Sequence, residues 1–265
     1  MKYDPLLYSY PSRRNVVYGK KGMVATSQPL AAQAGLEIMK KGGNAIDAAV
    51  AAAACLTVVE PTANGIGGDL FALVWTKGKL YGLNSSGPAP KNITAKKLRD
   101  QGLSEMPEYG WIPVTVPGVP AGWAALTEKF GQLTLSDTLK PAVDYAREGY
   151  AVSPTTSFAW KRSYDNYQKN LKGEEFQHWF KTFAPNDKAP RPGEVWKSEG
   201  HARTLESIGE SGAESFYRGE LAERIDEFSR QYGGYLRIED LIDFQPQWVN
   251  PVSINYRGYD VWEIP

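Results

Sequence analysis

Few residues of this chain combine a reactive type with a spacing suited to chemistry. Its one thiol, Cys55, sits inside the apolar run Ala45–Val59. Burial there raises a thiol's pKa and makes it packing rather than a nucleophile. The two histidines, His178 and His201, lie far apart, with no Cys cluster and no His-x-x-x-His pair. That pattern holds no zinc-type site, and both read as surface or satisfied structural groups. Composition permits a Ser-His-Asp triad, yet no Gly-x-Ser-x-Gly elbow occurs. Glu220, Glu223, Asp226 and Glu227 alternate with Arg224 as on a solvated helix face. Glu239-Asp240 opens a short helix, where carboxylates are favoured by the N-terminal dipole. No general base, metal site or cofactor is read from these residues.

Gly65-Ile66-Gly67-Gly68 is the remaining motif with chemical potential. Successive backbone N–H groups in such a turn can face an anion. Phosphate loops, however, open a helix and carry Lys-Ser/Thr, whereas this turn precedes the strand-like Leu70–Trp75. Two readings stay open: a turn needing positive φ or close backbone approach, and a turn packed beside an active site.

The elements around it follow from local pattern. Met23–Ser27 reads as a short strand, and Pro29 starts a helix to about Lys41 with Leu30, Ala34, Ile38 and Met39 at helical spacing. Asn44 caps a second helix over 45–59, with Asp47 three residues on. Apart from Asp47 that helix is apolar all round, so it is expected to be buried. Its 15 residues fall short of the roughly 20 that cross a bilayer. Strands at 70–75 and 79–84 form a hairpin about Lys77-Gly78. Helices are expected near 94–102, 120–130, 136–148, 153–170, 174–182, 199–211, 219–232 and 238–243, with 184–197 irregular. Two strands, 251–257 and 259–264, bend at Arg257-Gly258. The aromatics of 158–183 recur at helical spacing, as in a core. The whole of 1–265 reads as one domain.

Composition narrows the function classes. With 265 residues and 42% hydrophobic content, a sizeable core can form. Thirty basic residues balance thirty acidic ones, which gives no reason to expect nucleic acid or an anionic membrane as partner. Met1–Tyr8 has no apolar h-region, so the expected address is cytoplasmic.

Several separate motifs together resemble the gamma-glutamyltransferase family of N-terminal nucleophile hydrolases. They are Gly42–Val50 running to Thr57–Pro61 and Gly65–Asp69; Val116–Trp123; Leu139–Ala142 with Ala146–Tyr150; Phe216–Gly219 with Leu221-Ala222; Gly233–Leu236 with Glu239–Leu241; and Tyr256–Tyr259. The resemblance implies an α/β layered fold, an αββα sandwich of two stacked sheets with helices outside. It also implies a precursor that cuts itself into a large N-terminal and a small C-terminal subunit. The small subunit begins with threonine, whose hydroxyl attacks an amide and whose α-amine is the base. This chain resembles the large-subunit region only. The expectation is therefore a fragment with no catalytic residue of its own, partnered by the small subunit and acting on a small-molecule amide.

One position departs from that family. Its γ-glutamyl enzymes carry an arginine before Glu-x-Ala-Pro, and its guanidinium grips the substrate α-carboxylate bidentately. Here the stretch is Leu83-Asn84-Ser85-Ser86-Gly87-Pro88-Ala89-Pro90. Ser86, or Ser85 with a one-residue shift, takes the arginine's place, and both are the expected substrate-binding residues. The resemblance then leans to the acylase-like branch, which acts on acyl groups without a free amino acid end, such as glutaryl amides. Arg13 or Arg14 could supply the missing charge instead. The rival function is a relative without a nucleophile, kept as a binding or structural module.

Overall fold

The computed structural model describes residues 16–265. Arg13 and Arg14 lie outside the described residues. In chain order the elements are α1 (Pro29–Lys40), α2 (Ala45–Val59), β1 (Leu70–Thr76), β2 (Lys79–Ser85), α3 (Ala95–Asp100), α4 (Val119–Phe130), α5 (Leu135–Glu148), β3 (Tyr150–Ala151), α6 (Pro154–Asn170), a 3-10 turn (Glu174–Phe176), α7 (Gln177–Phe183), β4 (Val195–Trp196), α8 (Glu199–Ser211), α9 (Glu214–Arg218), α10 (Glu220–Gln231), α11 (Ile238–Ile242), β5 (Gln247–Val249), β6 (Val252–Tyr256) and β7 (Tyr259–Glu263). The fold is mixed helix and sheet, with far more helix than strand. It divides into two compact units, Met1–Asn64 with Thr138–Glu206 and Gly65–Asp137 with Ser207–Pro265.

The first unit is built on α1 and α2. The Asn44 side chain accepts from the amides of Ile46 and Asp47, and Asp47 accepts the Asn44 amide in return at 2.8 Å, a reciprocal cap. Gly35 of α1 lets the helices close: a Cβ there would sit 2.9 Å from the Ala48 carbonyl oxygen. Ala48, Ala51, Ala54, Cys55 and Val58 are buried, as expected. One stripe departs from the all-round burial expected of α2. Ala45, Ala49, Ala53 and Leu56 line an open cavity of about 290 Å³ with Met23, Val24, Ala25 and Thr26. Met23–Ser27 is not a strand. It finds no ladder partner among the described residues, and Val24 packs on Gly35 instead.

A closed aromatic core fills the rest of this unit. Trp160 of α6 lies edge-on to Trp196 at 5.3 Å, and Phe183 stacks on Trp196 at 5.7 Å. The segment after α7, expected to be irregular, contributes β4, whose Val195 and Trp196 pair with Ala151 and Tyr150. His201 joins the cluster through Phe183 and Trp196.

The second unit holds a three-stranded antiparallel sheet in the order β1-β2-β5. The β1–β2 hairpin forms as its sequence predicts, with Lys77 at φ 50° and Gly78 at φ 75°. β5 is the strand that local pattern misses. It pairs Gln247 with Asn84, Trp248 with Leu83 and Val249 with Gly82. One sheet face receives α4, where Gly122 brings the helix onto Leu70. The other stays open, with Phe71 56%, Leu73 40% and Trp75 69% exposed. The β6–β7 hairpin closes the sequence with Ile254 and Tyr259 also exposed.

Candidate active-site cavity

β2 ends at Ser85, and three separated segments converge there. The Ser85 hydroxyl is fully buried and donates to the Gly118 carbonyl at 2.7 Å. The amides of Gly118 and Val119 donate to the Gly68 carbonyl at 2.9 and 3.1 Å, and the Val116 amide donates to Pro88 at 3.1 Å. Two glycines permit this lacing. A Cβ at Gly87 would lie 1.6 Å from the Val116 oxygen, and one at Gly118 would lie 1.7 Å from the Ser85 oxygen. Tyr217 of α9 completes it: its hydroxyl donates to the Pro117 carbonyl at 2.7 Å and accepts the Ala121 amide at 3.2 Å. Burial pushes this phenol's pKa up, so it stays protonated and able to donate. The motif Phe216-Tyr217-Arg218-Gly219 was the signal for it.

The Gly-rich turn sits within this lacing but not for the backbone reason expected. Gly65, Gly67 and Gly68 are not among the positive-φ glycines. A Cβ at Gly65 or Gly67 would meet nothing within 4 Å. What the turn does is offer the Gly68 carbonyl to the 116–119 segment, which in turn holds Ser85.

Ser85 and Ser86 therefore differ. Ser86 is half-buried, its hydroxyl and its amide both donating to the Asn84 side-chain oxygen, at 2.7 and 2.9 Å. It lines a cavity of about 540 Å³ together with Asn84, Lys91, Asp243 and Gln247. The β2–β5 register brings Asn84 opposite Gln247. Asp240 is 5% exposed and fixes the far wall: one carboxylate oxygen accepts the Lys91 amide and the other the Arg237 amide, both at 3.0 Å. Its sequence context announced a helix N-terminus and no more. The Lys91 ammonium pairs with Asp243, and that hydrogen bond raises its pKa.

The cavity thus offers a hydroxyl, carboxamides, one ammonium and carboxylates, which suits binding of a polar group. Among the described residues, no nucleophile with an adjacent base lines it. Elsewhere, Ser198 Oγ lies 2.9 Å from His201 Nδ1, but the same oxygen accepts the His201 amide at the start of α8, as a cap does. Burial lowers the His201 pKa. Cys55 is buried and its thiol pKa is pushed up, chiefly by desolvation. Among the described residues no group of His, Cys, Asp and Glu is placed to hold a metal ion.

Comparison with known proteins bears on this arrangement. The family described as gamma-glutamyltranspeptidase matches residues 31–265. The crystal structure of a cephalosporin acylase from Bacillus halodurans superposes with a TM-score of 0.97 at 60% identity, covering 100% of this chain and 50% of that one. The Helicobacter pylori gamma-glutamyltranspeptidase structure superposes at 0.85 with 32% identity, over 95% of this chain and 72% of that one. The glutathione hydrolase-like YwrD proenzyme of Bacillus subtilis (strain 168) is 40% identical over 255 residues, which is 94% of this chain and 46% of that protein. The chain spans about half the length of such curated relatives.

Proposed function

Since this chain belongs to the gamma-glutamyltranspeptidase family, we propose that it is the large-subunit part of an amidohydrolase or acyltransferase. Its nucleophile is an N-terminal threonine in a part of the protein beyond these residues. Relatives about twice its length, one of them named a proenzyme, support that reading. So does the open face of β1, since a sheet with large apolar side chains on an uncovered face calls for a further layer. In the complete protein the threonine hydroxyl attacks the substrate amide, and an acyl-enzyme passes its acyl group to water or an amine. The residues described here bind and orient the acyl group.

Ser86 carries the specificity reading, because it lines the cavity and, by resemblance of the Leu83–Pro90 stretch, stands at the position where the family's γ-glutamyl enzymes carry an arginine. A hydroxyl cannot grip a carboxylate bidentately. Without that grip the amino acid end of a γ-glutamyl group is not held at Ser86, so γ-glutamyl amides lose their advantage over acyl groups without such an end, of the glutaryl type. The test compares kcat/KM for γ-glutamyl and butyryl anilides in the complete protein and in Ser86→Arg. The γ-glutamyl to butyryl ratio rises about 10- to 150-fold in the variant, the worth of one charge-assisted bond. A wild type that already prefers γ-glutamyl strongly, or a ratio that does not move, removes Ser86 from the site.

The second reading, a relative without amidase activity, predicts no turnover of any anilide by the complete protein. On the leading reading residues 1–265 alone turn over neither γ-glutamyl nor glutaryl anilide, and activity returns when the remaining part is supplied. Turnover by 1–265 alone overturns the placement of the nucleophile.

A further inference from the structure

We propose that Lys91 is the specificity-determining cation of the cavity beside Ser86, and that it takes the terminal carboxylate of a dicarboxylic half-amide in exchange for Asp243. This rests on the reading above that the cavity receives the acyl group. Among the described residues that line the cavity, Lys91 is the one cation. Ser86 does not compete for the carboxylate, because its hydroxyl donates to Asn84.

The lysine is held by its backbone and exposed at its tip. Asp240 accepts its amide, and Pro88 and Pro90 restrict the chain that joins it to Ser86. The Pro88 carbonyl is itself tied to Val116. Asp240 has both oxygens on backbone amides, so the ammonium is left to Asp243. Both side chains of that pair are 61% exposed. An exposed lysine–carboxylate pair contributes little, so a substrate carboxylate can replace Asp243 at small cost. The exchange keeps the charge on Lys91 paired throughout and releases Asp243 to water. Gln245 and Gln247 on the same wall offer neutral hydrogen-bonding groups to the rest of the acyl chain. An uncharged acyl group gains nothing from this wall, whereas a glutaryl group gains an ion pair.

The experiment measures kcat/KM for glutaryl and butyryl anilides with the complete protein and three variants, and glutarate binding by calorimetry. Lys91→Met lowers the glutaryl to butyryl ratio by about two- to fivefold, mainly through KM, as expected for one ion pair in a solvated site. Lys91→Arg restores most of it. Asp243→Asn raises glutaryl turnover and tightens glutarate binding, since the competing carboxylate is gone. If both anilides are hydrolysed and Lys91→Met leaves the ratio unmoved, the role of Lys91 is overturned while the acylase reading stands. If neither anilide is hydrolysed and glutarate does not bind, the acylase reading fails and takes this proposal with it. A wild-type preference for γ-glutamyl that Asp243→Asn abolishes assigns the pair to a zwitterionic head group instead, and also overturns it.

Discussion

The aromatic cluster around Trp160 and the cavity around Ser86 treat their polar atoms in opposite ways. In the cluster each indole finds a backbone acceptor: Trp160 donates to the Phe183 carbonyl at 2.9 Å and Trp196 to Thr182 at 3.2 Å. Ser157 donates to Pro190 at 2.7 Å, and Tyr164 to the Asp187 carbonyl. Those groups are internal, and they are used up in holding a closed core. At the cavity, backbone amides are satisfied by Asn84 and Asp240, but Lys91 and Asp243 keep their charged tips in solvent. Rigid walls whose charged tips stay in solvent suit a binding site, whereas rigid walls with inward tips make a core.

The largest effect that separates the two regions is expected at Trp160, which is fully buried. Trp160→Ala removes a large side chain from a packed core and lowers stability by about 3–5 kcal/mol, without altering the glutaryl to butyryl ratio. Urea melts together with the two anilide assays check both halves. A specificity change in this variant would erase the distinction between core and site.

Leu73 tests whether the open face of β1 is covered in the complete protein. Leu73→Ser then costs about 1.5–3 kcal/mol, the worth of a buried leucine. A change within about 0.5 kcal/mol, as at ordinary surface positions, means that the face stays in water.

The neighbouring serines give a smaller contrast within the site itself. Ser85→Ala removes one of two hydrogen bonds to the Gly118 carbonyl, which keeps the Gly122 amide, and costs about 1–1.5 kcal/mol. Ser86→Ala, at a half-buried hydroxyl bonded to the adjacent Asn84, costs under about 1 kcal/mol in the same melts. Equal losses would show that both hydroxyls serve the same structural purpose.

How much of this was legible depended on how locally each feature is encoded. The Asn44–Asp47 cap and the Lys77-Gly78 hairpin are written within a few residues, and both form as read. β5 is three residues long between Pro246 and Asn250-Pro251, too short for any periodicity, and exists because β2 offers a ladder. Met23–Ser27 shows the converse, a strand-like pattern with no ladder to join. Ser85 and Ser86 were singled out together. Only tertiary hydrogen bonds distinguish a hydroxyl that locks Gly118 from one that lines the cavity. Lys91 and Asp243 gave no signal, because their pairing joins distant parts of the chain.

The smallest effect concerns His201. Burial lowers its pKa in the folded state, so the unfolded chain binds the extra proton more readily. The stability contributed by the neutral ring is present above the unfolded value of about 6.5 and is lost as pH falls below it. Denaturant melts at pH 7 and 5.5 therefore show a loss on acidification that His201→Gln reduces. An identical loss in the variant would mean that other groups carry it.

The Asp240 carboxylate accepts the amide of Lys91, 149 positions earlier in the chain. The β1–β2 hairpin can close as soon as its short turn has formed, but the wall carrying Lys91 must wait until residue 240 has been synthesised and has folded back. Closing so long a loop is entropically costly and slow compared with local pairing. During synthesis, then, the cavity is one of the later features to appear, and a nascent chain cut short before α11 presents a folded hairpin beside an unformed pocket.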